Sequence, residues 1–200
     1  GLKELIKYLN SAKTKQPLFI AIDEEGGQIS RFNKFNDFEH FPSAYKVGNE
    51  LNLNSANKLY TSMATQLKDL GINMNFAPTV DLFTDHESTI IGTRSFGENP
   101  EYAGILGAAF SAGSIAAGVI PTAKHFPGHG DTSLDSHGAL PRIEIDYDTL
   151  NKRELIPFKY LIKEKVPALM SGHLSMPDID ATEAPASLSK HILMDILRKE

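Results

Sequence analysis

Short apolar runs alternate along this chain with longer stretches whose apolar residues recur every three or four positions. Leu2, Leu5, Ile6 and Leu9 follow helical spacing, and Pro17 ends that pattern. Leu18 to Ile22 then reads as a fully buried strand. A helical stretch runs from about Ala44 to Leu70 and stops at Gly71, a C-cap residue. The next strand is Ile72 to about Ala77, stopped by Pro78. Pro100 opens a helix that runs to Ala117, with Gly118 after it. Its small residues Ala108, Ala109, Ala112 and Ala116 suit close packing against a sheet. Val119 to Lys124 is a strand interrupted near Pro121. Leu150 to Lys163 is amphipathic, with Leu155, Phe158, Leu161 and Ile162 on one side. Ala168 to Met170 is a short strand, and Leu188 to Leu197 is the last helix.

Helices alternating with apolar strands demand a parallel α/β sheet covered by helices. A doubly wound open sheet and a closed (β/α)8 barrel both satisfy that pattern. The segments after the four strands favour the barrel. They begin at Asp23, Pro78, His125 and His173, and all are polar loops containing Gly or Pro. Chemistry at the C-terminal end of every strand is how a barrel builds its active site, whereas an open sheet gathers its ligand groups at one switch point.

Composition narrows the function. The 200 residues are 41% hydrophobic and 22% charged, with a formal net charge of -5. That balance gives no electrostatic footprint for nucleic acid. No apolar run is long enough to span a bilayer, and no signal peptide is visible. The absence of cysteine excludes a thiol nucleophile, a disulfide framework and a zinc–thiolate centre.

The densest chemistry lies between Lys124 and His137, in Lys-His-Phe-Pro-Gly-His-Gly-Asp-Thr-Ser-Leu-Asp-Ser-His. Its His and Asp residues could serve as metal ligands. Pro127, Gly128 and Gly130 argue against the helix that would align His125 with His129. The same residues also suit acid–base chemistry. A carboxylate at Asp135 can fix the tautomer of His137 and stabilise its protonated ring, which then exchanges a proton with a leaving group or water. Asp23 is the first polar residue after five apolar ones in Asp-Glu-Glu-Gly-Gly-Gln-Ile-Ser-Arg, and its carboxylate can accept hydroxyl hydrogen bonds. Arg31 adds a fork of donors. Arg94 stands among apolar residues and glycines, a setting in which a partner or ligand holds an arginine. His173, at the end of the last strand, is a further candidate contact.

Taken together these motifs resemble glycoside hydrolase family 3, in its β-N-acetylglucosaminidase branch. The likeness runs through Asp23 to Arg31, Asn75-Phe76-Ala77-Pro78, Gly92 to Phe96, Lys124 to Gly130, Asp135-Ser136-His137 and Glu154 to Phe158. The resemblance implies a retaining β-N-acetylhexosaminidase that removes terminal β-linked N-acetylglucosamine, with cytoplasmic peptidoglycan-derived muropeptides as the natural substrate class. It implies that Asp23, Arg31, Arg94, Lys124 and His125 hold the sugar. It makes His137 the general acid and base, paired with Asp135, in a scheme that needs no metal or other cofactor. The family's nucleophilic Asp has no matching segment here and is expected C-terminal to residue 200. The chain is therefore expected to form one partial barrel, lacking a first strand and the C-terminal strands and continuing past both ends. A β-glucosidase of the same family and a metal-dependent barrel hydrolase are the alternatives.

Overall fold

The structure is a computed structural model, and it describes residues 1–12, 15–84, 86, 90–131 and 140–199. Four strands, β1 (Ala21–Ile22), β2 (Met74–Asn75), β3 (Ile120–Phe126) and β4 (Ala168–Ser171), form one sheet in the order β1-β2-β3-β4. All three pairings are parallel, with Ala21 opposite Met74, Asn75 opposite Pro121 and Thr122 opposite Ala168. Sequential order is decisive between the two architectures. A doubly wound sheet reverses its strand order, whereas a (β/α) barrel adds each strand beside the last. These four strands and their helices are an incomplete barrel.

The helices sit where the apolar spacing put them. α1 (Leu2–Asn10) precedes β1, and α2 (Ala44–Glu50) and α3 (Leu53–Leu70) connect β1 to β2. α4 (Pro100–Ala116) connects β2 to β3. Between β3 and β4 the turn α5 (Tyr147–Thr149) and a π-helical segment, Leu150–Glu154, lead into α6 (Leu155–Lys163). A second π segment, His191–Ile196, runs into α7 (Leu197–Lys199).

Three expectations change. The stretch from 44 to 70 is two helices, because Leu51 turns extended and the Asn52 side chain accepts from the Ser55 amide to start a new one. Leu18 to Ile20 is not a buried strand: Leu18 and Phe19 are exposed, since β1 is the first strand in the sheet and has a partner on one side only. Pro121 does not interrupt β3, which passes through it to Phe126.

α4 lies against both α3 and α6. Ala112 and Ala116 face solvent, so it is not they that bring α4 close to its neighbours. The close approaches are at glycines. A Cβ on Gly104 would lie 2.9 Å from the Tyr160 side chain, and one on Gly113 would lie 2.9 Å from the Thr61 amide nitrogen. Beneath the sheet's helices Tyr60, Phe96 and Phe110 pack in edge and tilted contacts within the main core. Burial of rings this size supplies much of the apolar stabilisation of such a layer.

Candidate active site

Parallel pairing brings the C-terminal ends of all four strands to one face. The end of β1 is pinned there by Asn75 on β2. Its side-chain oxygen accepts from the Glu24 amide at 3.0 Å, and its amide group donates to the Glu24 carbonyl at 2.8 Å. The chain then turns back at Gly26, whose φ is 86° and whose would-be Cβ lies 2.3 Å from the Pro42 carbonyl oxygen. Only glycine fits that approach. The turn leaves Asp23 and Glu25 directed at the same cleft, with buried Glu24 beneath them.

Lys124, near the end of β3, reaches across to both acids. Its Nζ lies 2.6 Å from Glu25 Oε1 and 3.1 Å from Asp23 Oδ1. Arg94, in the 3-10 turn Gly92–Arg94, also pairs with Glu25. Arg31 approaches Asp23 Oδ2 at 3.2 Å. Lys124 and Glu25 are buried to within 3% and 4% of full exclusion, while the Asp23 side chain keeps 35% exposure. Glu25 therefore acts as the buried anchor, and Asp23 is the carboxylate a ligand can reach. Burial works to raise the pKa of both, but Lys124 with Arg31 holds Asp23 below the usual range, and Arg94 with Lys124 does the same for Glu25.

A second carboxylate organises the β3–loop junction. Asp81 is fully buried and meets three nitrogens, two of them amide N–H donors. The His129 amide donates to Oδ1 at 2.8 Å, the His125 amide to Oδ1 at 3.1 Å, and the His125 ring meets Oδ2 through Nδ1 at 2.6 Å. Burial pushes against ionisation here too, and the two histidines outweigh it, so Asp81 titrates below its ordinary value. β3 changes register against β4 between Lys124 and Phe126, at His125. On β4's side, His173 Nδ1 lies 2.9 Å from Ser187 Oγ.

These groups line one cleft of about 670 Å³, together with Gln28, Ile29 and Phe76. All six candidate sugar contacts, Asp23, Arg31, Arg94, Lys124, His125 and His173, border it. They come from segments up to 150 residues apart in the chain, and the sheet with the loops at its strand ends brings them together. Asp135 and His137 lie outside the described residues. Among the described residues no group of three or more His, Asp or Glu side chains is arranged to hold a metal ion, and no helix is long and apolar enough to cross a membrane.

Three structural acids were not singled out from the sequence. Glu25 stands two residues after Asp23 in an acidic run, where nothing local sets it apart from its neighbours. Asp81 fell inside Pro-Thr-Val-Asp-Leu-Phe, where a lone acid between apolar residues was the available signal. Glu154 begins Glu-Leu-Ile-Pro-Phe and is buried against Gly128, with Arg153 Nε 2.6 Å from its Oε1. Arg153 also donates to Asp131, the last described residue before the Asp135–His137 stretch.

Comparison with known proteins gives this site its family. Residues 1–200 match the model of the glycosyl hydrolase family 3 N terminal domain. "Beta-hexosaminidase A" of Pseudoalteromonas piscicida is 38% identical over 205 residues, covering 94% of this chain and 34% of that protein. A "Beta-hexosaminidase" of Idiomarina loihiensis is 37% identical over 201 residues, covering all of this chain and 59% of that protein. Among solved structures, a glycoside hydrolase family 3 β-N-acetylglucosaminidase from Paenibacillus sp. str. FPU-7 superposes with a TM-score of 0.93 at 36% identity, over 98% of this chain and 38% of its own. NagZ from Neisseria gonorrhoeae, in complex with N-trifluoroacetyl-D-glucosamine, superposes at 0.91 with 33% identity, over 99% of this chain and 58% of its own. The chain thus spans about a third to three fifths of the length of these relatives, and it belongs to glycosyl hydrolase family 3, as its N-terminal domain.

Proposed function

We propose that the protein of which these residues form part is a retaining β-N-acetylhexosaminidase acting on terminal β-linked N-acetylglucosamine. The observation that carries the reading is the ion network at the strand ends. A reachable carboxylate, Asp23, is held ionised by Lys124 and Arg31, on a base made rigid by Glu25 and Arg94. Such an array offers acceptors and charged donors to a ring of hydroxyls, and it supports roles in sugar binding for Asp23, Arg31, Arg94, Lys124 and His125, with His173 at the rim. Relatives named as β-hexosaminidases, and one solved with an N-acylated glucosamine, support an acetamido sugar over glucose.

His137 with Asp135 is the proposed acid–base pair. A histidine in that role adds no second negative charge beside a carboxylate nucleophile, and its ordinary pKa of about 6.5 suits proton transfer near neutrality. The nucleophile is an Asp outside these 200 residues, and residues 1–200 are one part of a longer catalytic domain. Muropeptides from peptidoglycan are the proposed natural substrates and the cytoplasm the proposed compartment.

The test uses the full-length protein and His137→Ala. Turnover of N-acetyl-β-glucosaminides should fall steeply for poor leaving groups and much less for 4-nitrophenolate, because a good leaving group needs less protonation. Equal losses across leaving groups, or none, would remove the acid–base assignment.

A further inference from the structure

The Asp81–His125 contact fixes more than the position of a ring. An ionised carboxylate can only accept hydrogen bonds. Asp81 is surrounded by N–H donors from the His125 and His129 amides, which use its oxygens as acceptors at 2.8 to 3.2 Å. The atom facing Oδ2 at 2.6 Å is His125 Nδ1, so that nitrogen must carry a proton. Nδ1 is directed into the interior at a residue with no exposure, while the His125 side chain keeps 18% exposure and lines the cleft. The accessible edge of the ring is therefore the one bearing Nε2. Among the described residues Nε2 has no hydrogen-bond partner.

We propose that Asp81 is a positioning residue that keeps a proton on His125 Nδ1 and so turns the Nε2 edge of the ring to the cleft, where Nε2 of the uncharged ring is an acceptor for a hydroxyl of the bound sugar. The neighbouring cleft groups make such an acceptor useful. Lys124, Arg94 and Arg31 are all donors, and the one reachable carboxylate, Asp23, already receives two of them. An acceptor at His125 Nε2 complements those donors by receiving a hydroxyl hydrogen bond in the same cleft. The identity of the ligand rests on the hexosaminidase reading; the tautomer does not.

Asp81→Asn reverses the pairing at nearly constant shape. Its carboxamide oxygen can keep the two amide N–H bonds, which leaves the NH2 group facing Nδ1. Nδ1 must then accept, the proton moves to Nε2, and the cleft gains a donor where it had an acceptor. Ring ¹⁵N spectra of the full-length protein, labelled at histidine and recorded where His125 is neutral, should show Nδ1–H in the parent and Nε2–H in Asp81→Asn. Adding N-acetylglucosamine should perturb the Nε2 resonance of the parent more than Nδ1. In turnover, Asp81→Asn should lower kcat/KM by roughly 10–100-fold, as loss of a partner that orients a histidine does elsewhere. Combined with His125→Ala it should add nothing beyond about a twofold change, because the carboxylate acts through that ring. A parent ring protonated on Nε2 would overturn the proposal without any variant having to fold. Fully additive losses would overturn it as well, and would leave Asp81 a purely structural support of the His129 turn.

Discussion

Arg94 grips Glu25 with two nitrogens, Nε and Nη2, each 2.9 Å from a different carboxylate oxygen. This fork-to-fork geometry restricts both side chains at once, and Lys124 adds a second cation at Oε1. Removing Glu25 leaves two cations facing each other in a nearly dry site. Glu25→Ala should therefore destabilise the full-length protein by about 3–5 kcal/mol, the usual cost of breaking a buried ion pair from one side. Denaturant unfolding measures it. A loss under 1 kcal/mol would mean that water reaches the pair.

Glu24 and Glu154 carry the opposite sign. Burial pushes both carboxyls up to about 7, against ordinary values of 4.5, and hydrogen bonds from Ser30 and Arg31 or the charge of Arg153 offset only part of it. Each group thus binds its proton more tightly folded than unfolded. The stability they contribute is present below pH 4.5 and is lost as pH rises through about 7. Glu24→Gln and Glu154→Gln, which are neutral at every pH, should match the parent near pH 5 and exceed it at pH 8 by up to about 3 kcal/mol. Melting temperatures at the two pH values decide this, and a parent that is the more stable protein at pH 8 would contradict it.

Lys124 is expected to act through Asp23. Lys124→Met should lower kcat/KM by roughly 10²–10³, the scale of losing one preorganised charged donor. Without the cation the Asp23 pKa rises, so the acid limb of the kcat/KM profile should move to higher pH. An unmoved acid limb would separate Lys124 from the ionisation that limits activity.

Gly26→Ala should be poorly tolerated, at about 1–3 kcal/mol or more, because the new methyl meets the Pro42 carbonyl oxygen in a positive-φ turn. The damage should appear at the cleft as a raised KM, since Gly26 directly follows Glu25. Binding of N-acetylglucosamine by calorimetry, compared between the two proteins, checks that consequence.

Much of this was legible in the sequence, for identifiable reasons. Asp23 and Lys124 stand at the polar ends of apolar strands, so strand periodicity alone located them. Arg94 was legible because a charge among apolar neighbours requires a partner, though the partner, Glu25, lies 69 residues away and no local pattern points to it. Asp81 was missed because its task is to hold two histidines in a later loop, a relation that exists only once β2 and β3 pair. The strand positions were legible as well, but their lengths were not. Pairing depends on the neighbour's register, so only Ala21 and Ile22 of the first apolar run join the sheet. Ala112 and Ala116 of α4 misled for a similar reason, while Ala109 is buried as expected. Composition marked the helix as close-packed, while the contacts themselves fall to Gly104 and Gly113.

Hydrolysis of two 4-nitrophenyl β-glycosides by the full-length protein, the N-acetylglucosaminide and the glucoside, tests the central claim most directly. The account predicts strong preference for the acetamido sugar, expressed in kcat/KM. Equal or better turnover of the glucoside would contradict it and would make the cleft a glucose site on the same family fold.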